Sequence, residues 1–271
     1  MTLKKPTNNY VIFDSHAHIY PDKIAKKASQ SVSDFYGIKM NFVGSCSELL
    51  EEGKKAGVSK FLVHSVATTK EQVRKINEFL IGQVELHSEF IGFMTLHPSQ
   101  SLSELVEEVN FGLANGLKGV KLHPDFQKFF VDSDECCNIF KAVNGKCPIL
   151  FHAGDKRYHF SSPKRLAKMA KAFPNQIMIC AHFGGYSQWD EIECYNGLEN
   201  VYFDTCSSLE FLNKEEAEKI INHFGAEKFL FGTDYPMWSA KDEIEKLLKL
   251  NLTEGQFKQI FSENLIKLLN L

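Results

Sequence analysis

Eight short apolar runs, rich in Val, Ile, Leu and Phe, recur along the chain with helix-length segments between them. They occupy 10–13, 60–66, 90–96, 117–122, 147–151, 177–181, 200–204 and 228–231. Strands that are apolar throughout, rather than on alternate residues, are covered on both faces, which calls for parallel pairing with helices packed outside. Eight such units predict an α/β fold closed as a (β/α)8 barrel. A doubly wound open sheet is the competing architecture, but no G-x-G-x-x-G or Walker A pattern follows any run, so its usual nucleotide site is missing. No Pro/Gly/Ser-rich linker divides the chain, and residues 1–271 are expected to form one domain.

Local signals place the helices. Ser45-x-x-Glu48 and Ser101-x-x-Glu104 are capping-box patterns, and Gly57 stands where a helix end wants positive φ. A helix is expected over 70–81, with Val73, Ile76 and Leu80 at helical spacing. Ser162-Pro163, Asn213, Ser239 and Thr253-x-x-Gln256 open four more, the last being an extra C-terminal helix. The stretch 21–45 is polar with aromatic islands at Phe35-Tyr36 and Phe42, too long for a tight connection, and is read as a lid inserted after the first strand.

A hydrophobic fraction of 44% with 23 Phe supplies a large core. The net charge of −3 gives no electrostatic reason to expect nucleic acid or an anionic membrane. Residues 1–9 are polar and the run after them is too short for a bilayer, so a soluble cytoplasmic protein is expected, with a small molecule as its partner and a homodimer as the assembly allowed. Seven Cys without a CxxC pair do not form a disulfide framework or a zinc ribbon.

The first run ends in Asp14-Ser15-His16-Ala17-His18. Side chains on a strand alternate, so His16 and His18 share a face, a geometry suited to chelating one divalent ion. Two imidazoles cannot complete a coordination shell. In a (β/α)8 barrel the active site lies at the C-terminal ends of the strands, and those ends also carry His152, His182 and Asp234.

Phe13-Asp14-Ser15-His16-Ala17-His18, Gly119-Val120-Lys121-Leu122-His123-Pro124, Phe151-His152-Ala153-Gly154, Ala181-His182-Phe183-Gly184-Gly185, Phe231-Gly232-Thr233-Asp234-Tyr235-Pro236 and Phe261-Ser262-Glu263-Asn264 together resemble the amidohydrolase superfamily. The resemblance is closest to the amidohydrolase-related branch of metal-dependent hydrolases and decarboxylases. It implies that His16, His18, His152 and Asp234 bind one zinc, or manganese in its place, and that His182 stands beside it as a ligand or acid/base. TatD-like nucleases share the opening motif but place a glutamate on strand four, where this chain has Lys121.

An ion held by three histidines and a carboxylate keeps an open position, lowers the pKa of bound water towards ~7 and polarises a carbonyl. Asp234 and His182 are therefore the expected catalytic residues. Lys121 is read as an ordinary ammonium serving substrate binding or an ion pair rather than a carboxylated bridge between two metals. His123 shares its strand face, and Arg157, Tyr158, Tyr235 and Trp238 follow the ligand-bearing strands, so all six are expected substrate contacts. His64 and His97 stay outside the metal set. The expected reaction is hydrolysis of a small amide, ester or lactone, with non-oxidative decarboxylation of an unsaturated or aromatic acid on the same ligands as the alternative.

Overall fold

A computed structural model describes residues 10–271. Its sheet has eight parallel strands in sequential order: β1 (Ile12–His18), β2 (Val58–His64), β3 (Phe90–Thr95), β4 (Gly119–Leu122), β5 (Ile149–Phe151), β6 (Met178–Cys180), β7 (Val201–Asp204) and β8 (Phe229–Leu230). The seam between β8 and β1 closes through Ser15 N to Phe231 O (2.8 Å), Asp234 N to His16 O (2.8 Å) and His18 N to Tyr235 O (2.7 Å). The Asp14 carboxylate reinforces it by accepting from Thr233 N (3.0 Å) and Thr233 Oγ1 (2.6 Å). The fold is a (β/α)8 barrel, as the eight apolar runs predict.

Two helices separate β1 from β2: α1 (Asp22–Tyr36) and α2 (Cys46–Ala56). Then come α3 (Val73–Leu86), α4 (Leu102–Ala114), α5 (Pro124–Gln127), α6 (Asp134–Val143), α7 (Pro163–Ala172) and α8 (Lys214–Phe224), while α9 (Ala240–Leu247), α10 (Glu254–Lys258) and α11 (Asn264–Leu269) follow β8. The capping boxes at Ser101, Asn213 and Thr253 form with both reciprocal bonds, and Gly57 ends α2 at φ 87°. One unit departs from the repeat. Between β6 and β7 the covering element is a 3-10 helix, Trp189–Tyr195, instead of an α-helix.

Leu62, Ile91, Phe93, Leu150, Ile179 and Leu230 fill the barrel interior, and Leu265 and Leu269 of α11 pack into the same cluster. Phe13 and Tyr202, near the starts of β1 and β7, border that cluster, so α11 stoppers the N-terminal end of the barrel. The opposite end is left to polar side chains.

The stretch 21–45 contains a full helix. α1 lacks a side-chain cap at Pro21 and buries only Ala25 and Ser29, which is why its apolar pattern is faint in the sequence. Its last turn lies over the C-terminal end of the barrel. Phe35 packs edge-on against Phe126, stacks on Tyr158 at 5.3 Å, and gives its carbonyl to Arg157 Nη1 at 2.9 Å.

Candidate metal centre

Strand alternation brings the His16 and His18 rings to one side, with centroids 5.4 Å apart. His16 Nδ1 lies 2.7 Å from Asp204 Oδ2 at the end of β7. The carboxylate holds the proton on Nδ1 and leaves the Nε2 lone pair facing inward, the usual way an outer carboxylate orients a ligating imidazole. Nε2 of His16 and Nε2 of His18 lie 3.5 and 3.4 Å from one oxygen, Asp234 Oδ1. The other oxygen of Asp234 accepts from Ser207 Oγ at 2.6 Å, and Trp238 Nε1 donates to the same hydroxyl at 2.9 Å.

The backbone around these groups is unusual. His182, Phe183, Ser207 and Asp234 have φ of 61°, 53°, 52° and 59°, left-handed values for residues with side chains. Such conformations cost of the order of 1 kcal/mol each and cluster at functional sites. Neighbouring strands hold them: Asp204 takes His182 N on Oδ1 and Phe183 N on its carbonyl, both at 2.8 Å, while His16 O takes Asp234 N. Residues of β1 and β7 thus set where the side chains after β6 and β8 point.

On the far wall, His182 Nε2 and His152 Nδ1 are 2.9 Å apart. His152 Nε2 points at Asp125 Oδ2 at 3.2 Å without hydrogen-bond alignment, and both oxygens of this buried carboxylate have no hydrogen-bond partner. His123 stacks between Phe126 (3.7 Å) and His152 (4.1 Å). Its Nδ1 faces Phe126 N, so Nε2 carries the proton and donates to Tyr36 of α1 at 3.0 Å. Burial lowers His18 to about 4 and His182 to about 3, and takes His64 and His123 well below the ordinary imidazole value. All four are neutral at pH 7, the form that ligates metals. Burial alone would raise Asp204, but His16 against it holds the carboxyl down to about 2.

Lys121 is fully buried, and its Nζ lies 2.9 Å from His16 Nε2. Burial lowers its ammonium to about 8, with Asp234 and Asp204 opposing the shift. It stands among the ligand candidates instead of at the cavity wall.

Four other sequence-selected side chains are placed by different forces. Tyr235 is turned outward: its hydroxyl bonds Ser45 O and Glu48 Oε2 at α2, and its ring stacks on Phe42. Arg157 is bound to Asp155 and Phe35 O, and Tyr158 stacks on Phe35, so both brace the lid helix. Trp238 supports Ser207. None of these four lines the cavity bordered by His16, His18, His123, His152, His182 and Asp234, which has a volume of about 20 Å³.

His64, placed outside the metal set by the sequence, lies beside the ligand candidates. Both its ring nitrogens are buried without a partner, and its ring packs 4.4 Å from His18 and 4.9 Å from His16. The signal was present in the register, since His64 pairs directly with His18 across β1 and β2.

The donor set fits a divalent ion. Two atoms each ~2.1 Å from one ion at a tetrahedral angle lie ~3.4 Å apart, the separation seen between Asp234 Oδ1 and both Nε2 atoms. Among the described residues, donor groups form at His16, His18 and His64, at His16, Asp204 and Cys206, at His182, Cys206 and Asp234, and at Asp125, His152 and Asp155. His152 lines the same cavity as His16, His18 and Asp234, but its nitrogens are directed at His182 and Asp125.

The barrel and the polar C-terminal end of its strands define the class of protein. The amidohydrolase family model matches residues 13–271, and the chain belongs to that family. No curated protein matches it. Among solved structures, an uncharacterised TIM-barrel protein from Bordetella bronchiseptica superposes with a TM-score of 0.80 at 17% identity, covering 96% of this chain and 98% of that one. The 5-carboxyvanillate decarboxylase of Sphingomonas paucimobilis gives 0.76 at 14% identity over 97% and 100% of the two chains. A dihydroxybenzoic acid decarboxylase from a Polaromonas species, with bound manganese and the inhibitor 2-nitroresorcinol, gives 0.74 at 16% identity over 97% of each. At these identities the likeness concerns the fold.

Proposed function

We propose that this chain is a metal-dependent non-oxidative decarboxylase of an aromatic or unsaturated carboxylic acid, rather than the hydrolase that the sequence favours. The observation that carries the choice is the cavity beside His16, His18 and Asp234. Its volume of about 20 Å³ is room for about one water, and Val32, Met40, Phe126, Pro236 and Met237 contribute to its walls. A space this small, apolar on one side and lined by imidazoles and Asp234 on the other, keeps bulk solvent away from the reacting carboxylate. Hydrolysis asks for a free base beside the attacking water. Asp234 is not such a base: Oδ2 accepts from Ser207, and Oδ1 faces the two histidine nitrogens as part of the donor set. The decarboxylases with the same fold support the reading.

His16, His18 and Asp234 would hold the ion, with His152 and His182 on the facing wall. A bound manganese or zinc ion supplies positive charge that orients the acid and stabilises the electrons left as carbon dioxide departs. The carbon–carbon bond to the carboxylate breaks, and the vacated carbon takes a proton. The hydrogen-bonded pair of His182 and His152 keeps an N–H at the cavity wall for that transfer. Asp204 holds His16 in the ligating tautomer, and α1, latched through Tyr36 to His123, keeps bulk water away.

The test is to load the protein with manganese and supply dihydroxybenzoic acids, carboxylated methoxyphenols and the matching amides, esters and lactones. The expected result is carbon dioxide from an acid, with deuterium at the vacated carbon when the reaction runs in deuterated water. Turnover of an amide, ester or lactone without carbon dioxide release would overturn the proposal in favour of hydrolysis.

A further inference from the structure

The cavity at the ligand cluster is too small for the body of any organic acid, so the remainder of the molecule must lie elsewhere. A second cavity of about 310 Å³ adjoins it between α1 and the segments that follow β2 and β4. His18, Tyr20, Val32 and Phe126 line both spaces. Ala28 and Phe35 of α1 and Val66 after β2 extend the larger one, while Ser31, Thr68 and Lys128 lie exposed at its margin.

We infer that this space under the lid helix is the binding site for the apolar body of the substrate, and that it selects acids with a body larger than one ring. The inference rests on the decarboxylase reading for the position of the carboxylate and goes beyond it in assigning the class of acid. An apolar cavity of ~150 Å³ suffices for benzene, and this one has about twice that volume. Its chemistry points the same way. Aromatic rings and short aliphatic side chains make up most of its wall and offer a planar apolar body dispersion contacts, with the buried Asp125 carboxylate at one end and Lys128 at the exposed margin as its acid and its lysine. A fused bicyclic acid, or a single ring with a sizeable apolar substituent, would fill the space while its carboxylate passes His18 into the small cavity.

The probes are benzoate and 2-naphthoate, titrated calorimetrically into the manganese-loaded protein. The second ring buries further apolar surface, so 2-naphthoate should bind about tenfold more tightly than benzoate. Ala28→Trp, on α1, and Val66→Trp, on the facing segment, each fill the space from one side. Either should bring the ratio of the two affinities to within about twofold, with metal content and thermal unfolding confirming that the variant folds. Equal affinities in the parent, or an unchanged ratio in both tryptophan variants, would overturn the pocket assignment and leave the decarboxylase reading standing. Failure of both acids to bind the loaded parent would instead remove the carboxylate position, and the decarboxylase reading with it.

Discussion

The two ends of the barrel are built from the same eight strands and are opposite in character. At the N-terminal end, Leu265 and Leu269 of α11 share one apolar cluster with Leu62, Ile91 and Leu150. At the C-terminal end, buried imidazoles and carboxylates crowd together, the segments after β4 to β8 each pass through a non-glycine residue of positive φ, and His64 and Asp125 keep buried polar atoms without partners. The first arrangement lowers the free energy of the fold and does nothing else. The second costs stability and brings donors to one point, the division of labour between stabilising and catalytic faces that this architecture allows.

The largest effect is expected from removing the donors. His16→Ala combined with His18→Ala takes away two of the three converging atoms, so manganese or zinc content measured by mass spectrometry should fall from about one per chain to near zero, and turnover with it. Full metal occupancy in that variant would show that the ion sits elsewhere. Asp234→Asn separates binding from chemistry. It keeps an oxygen and the size of the side chain but loses the charge facing the ion, so metal should largely stay while turnover falls by roughly 10²–10³-fold, the scale of electrostatic assistance.

At the other end the currency changes from turnover to stability. Leu265→Ala leaves a cavity in the stopper and should cost about 2–4 kcal/mol in urea unfolding, with metal stoichiometry untouched. Loss of metal at the same time would mean that the two ends are coupled through the strands.

Glu243 of α9, away from the metal centre, sharpens the contrast through pH. Burial raises its carboxyl to about 7, because its partner Lys246 is shared with Glu210 and cannot fully compensate. A folded-state value above the unfolded one means that the folded protein binds the proton more tightly. This contribution is therefore fully present below about pH 4.5 and is lost as pH rises through about 7. Glu243→Gln should remove that loss, gaining up to ~3 kcal/mol on the parent between pH 5 and pH 8. A constant difference between the two proteins across that range would contradict the assignment.

The smallest effect is expected at His64. Its nitrogens have no partners to lose, so His64→Leu should change the stability of the metal-free protein by no more than ~1 kcal/mol.

The strands were legible because each carries an unbroken apolar run, and His16 and His18 were legible because alternation along one strand needs no other element to place them. The helix caps at Ser101, Asn213 and Thr253 are local for the same reason. What the sequence hid depends on contacts between distant segments. Tyr235 looks like a site residue because it follows Asp234, yet the left-handed turn at Asp234 sends its hydroxyl to α2. Arg157 follows β5 but meets Asp155 and the lid before any cavity. His152 carries the family motif, while the directions of its two nitrogens are decided by Asp125 and His182, 27 and 30 residues away. α1 escaped notice because a helix covering a cavity needs few buried positions, and its beginning at Pro21 has no capping side chain.

The position of the ion is the decisive observable. A crystal of the manganese-reconstituted protein, measured at a wavelength where manganese scatters anomalously, should show one strong peak per chain bounded by His16 Nε2, His18 Nε2 and Asp234 Oδ1. A peak confined to Asp125, His152 and Asp155, or two peaks bridged at Lys121, would contradict it.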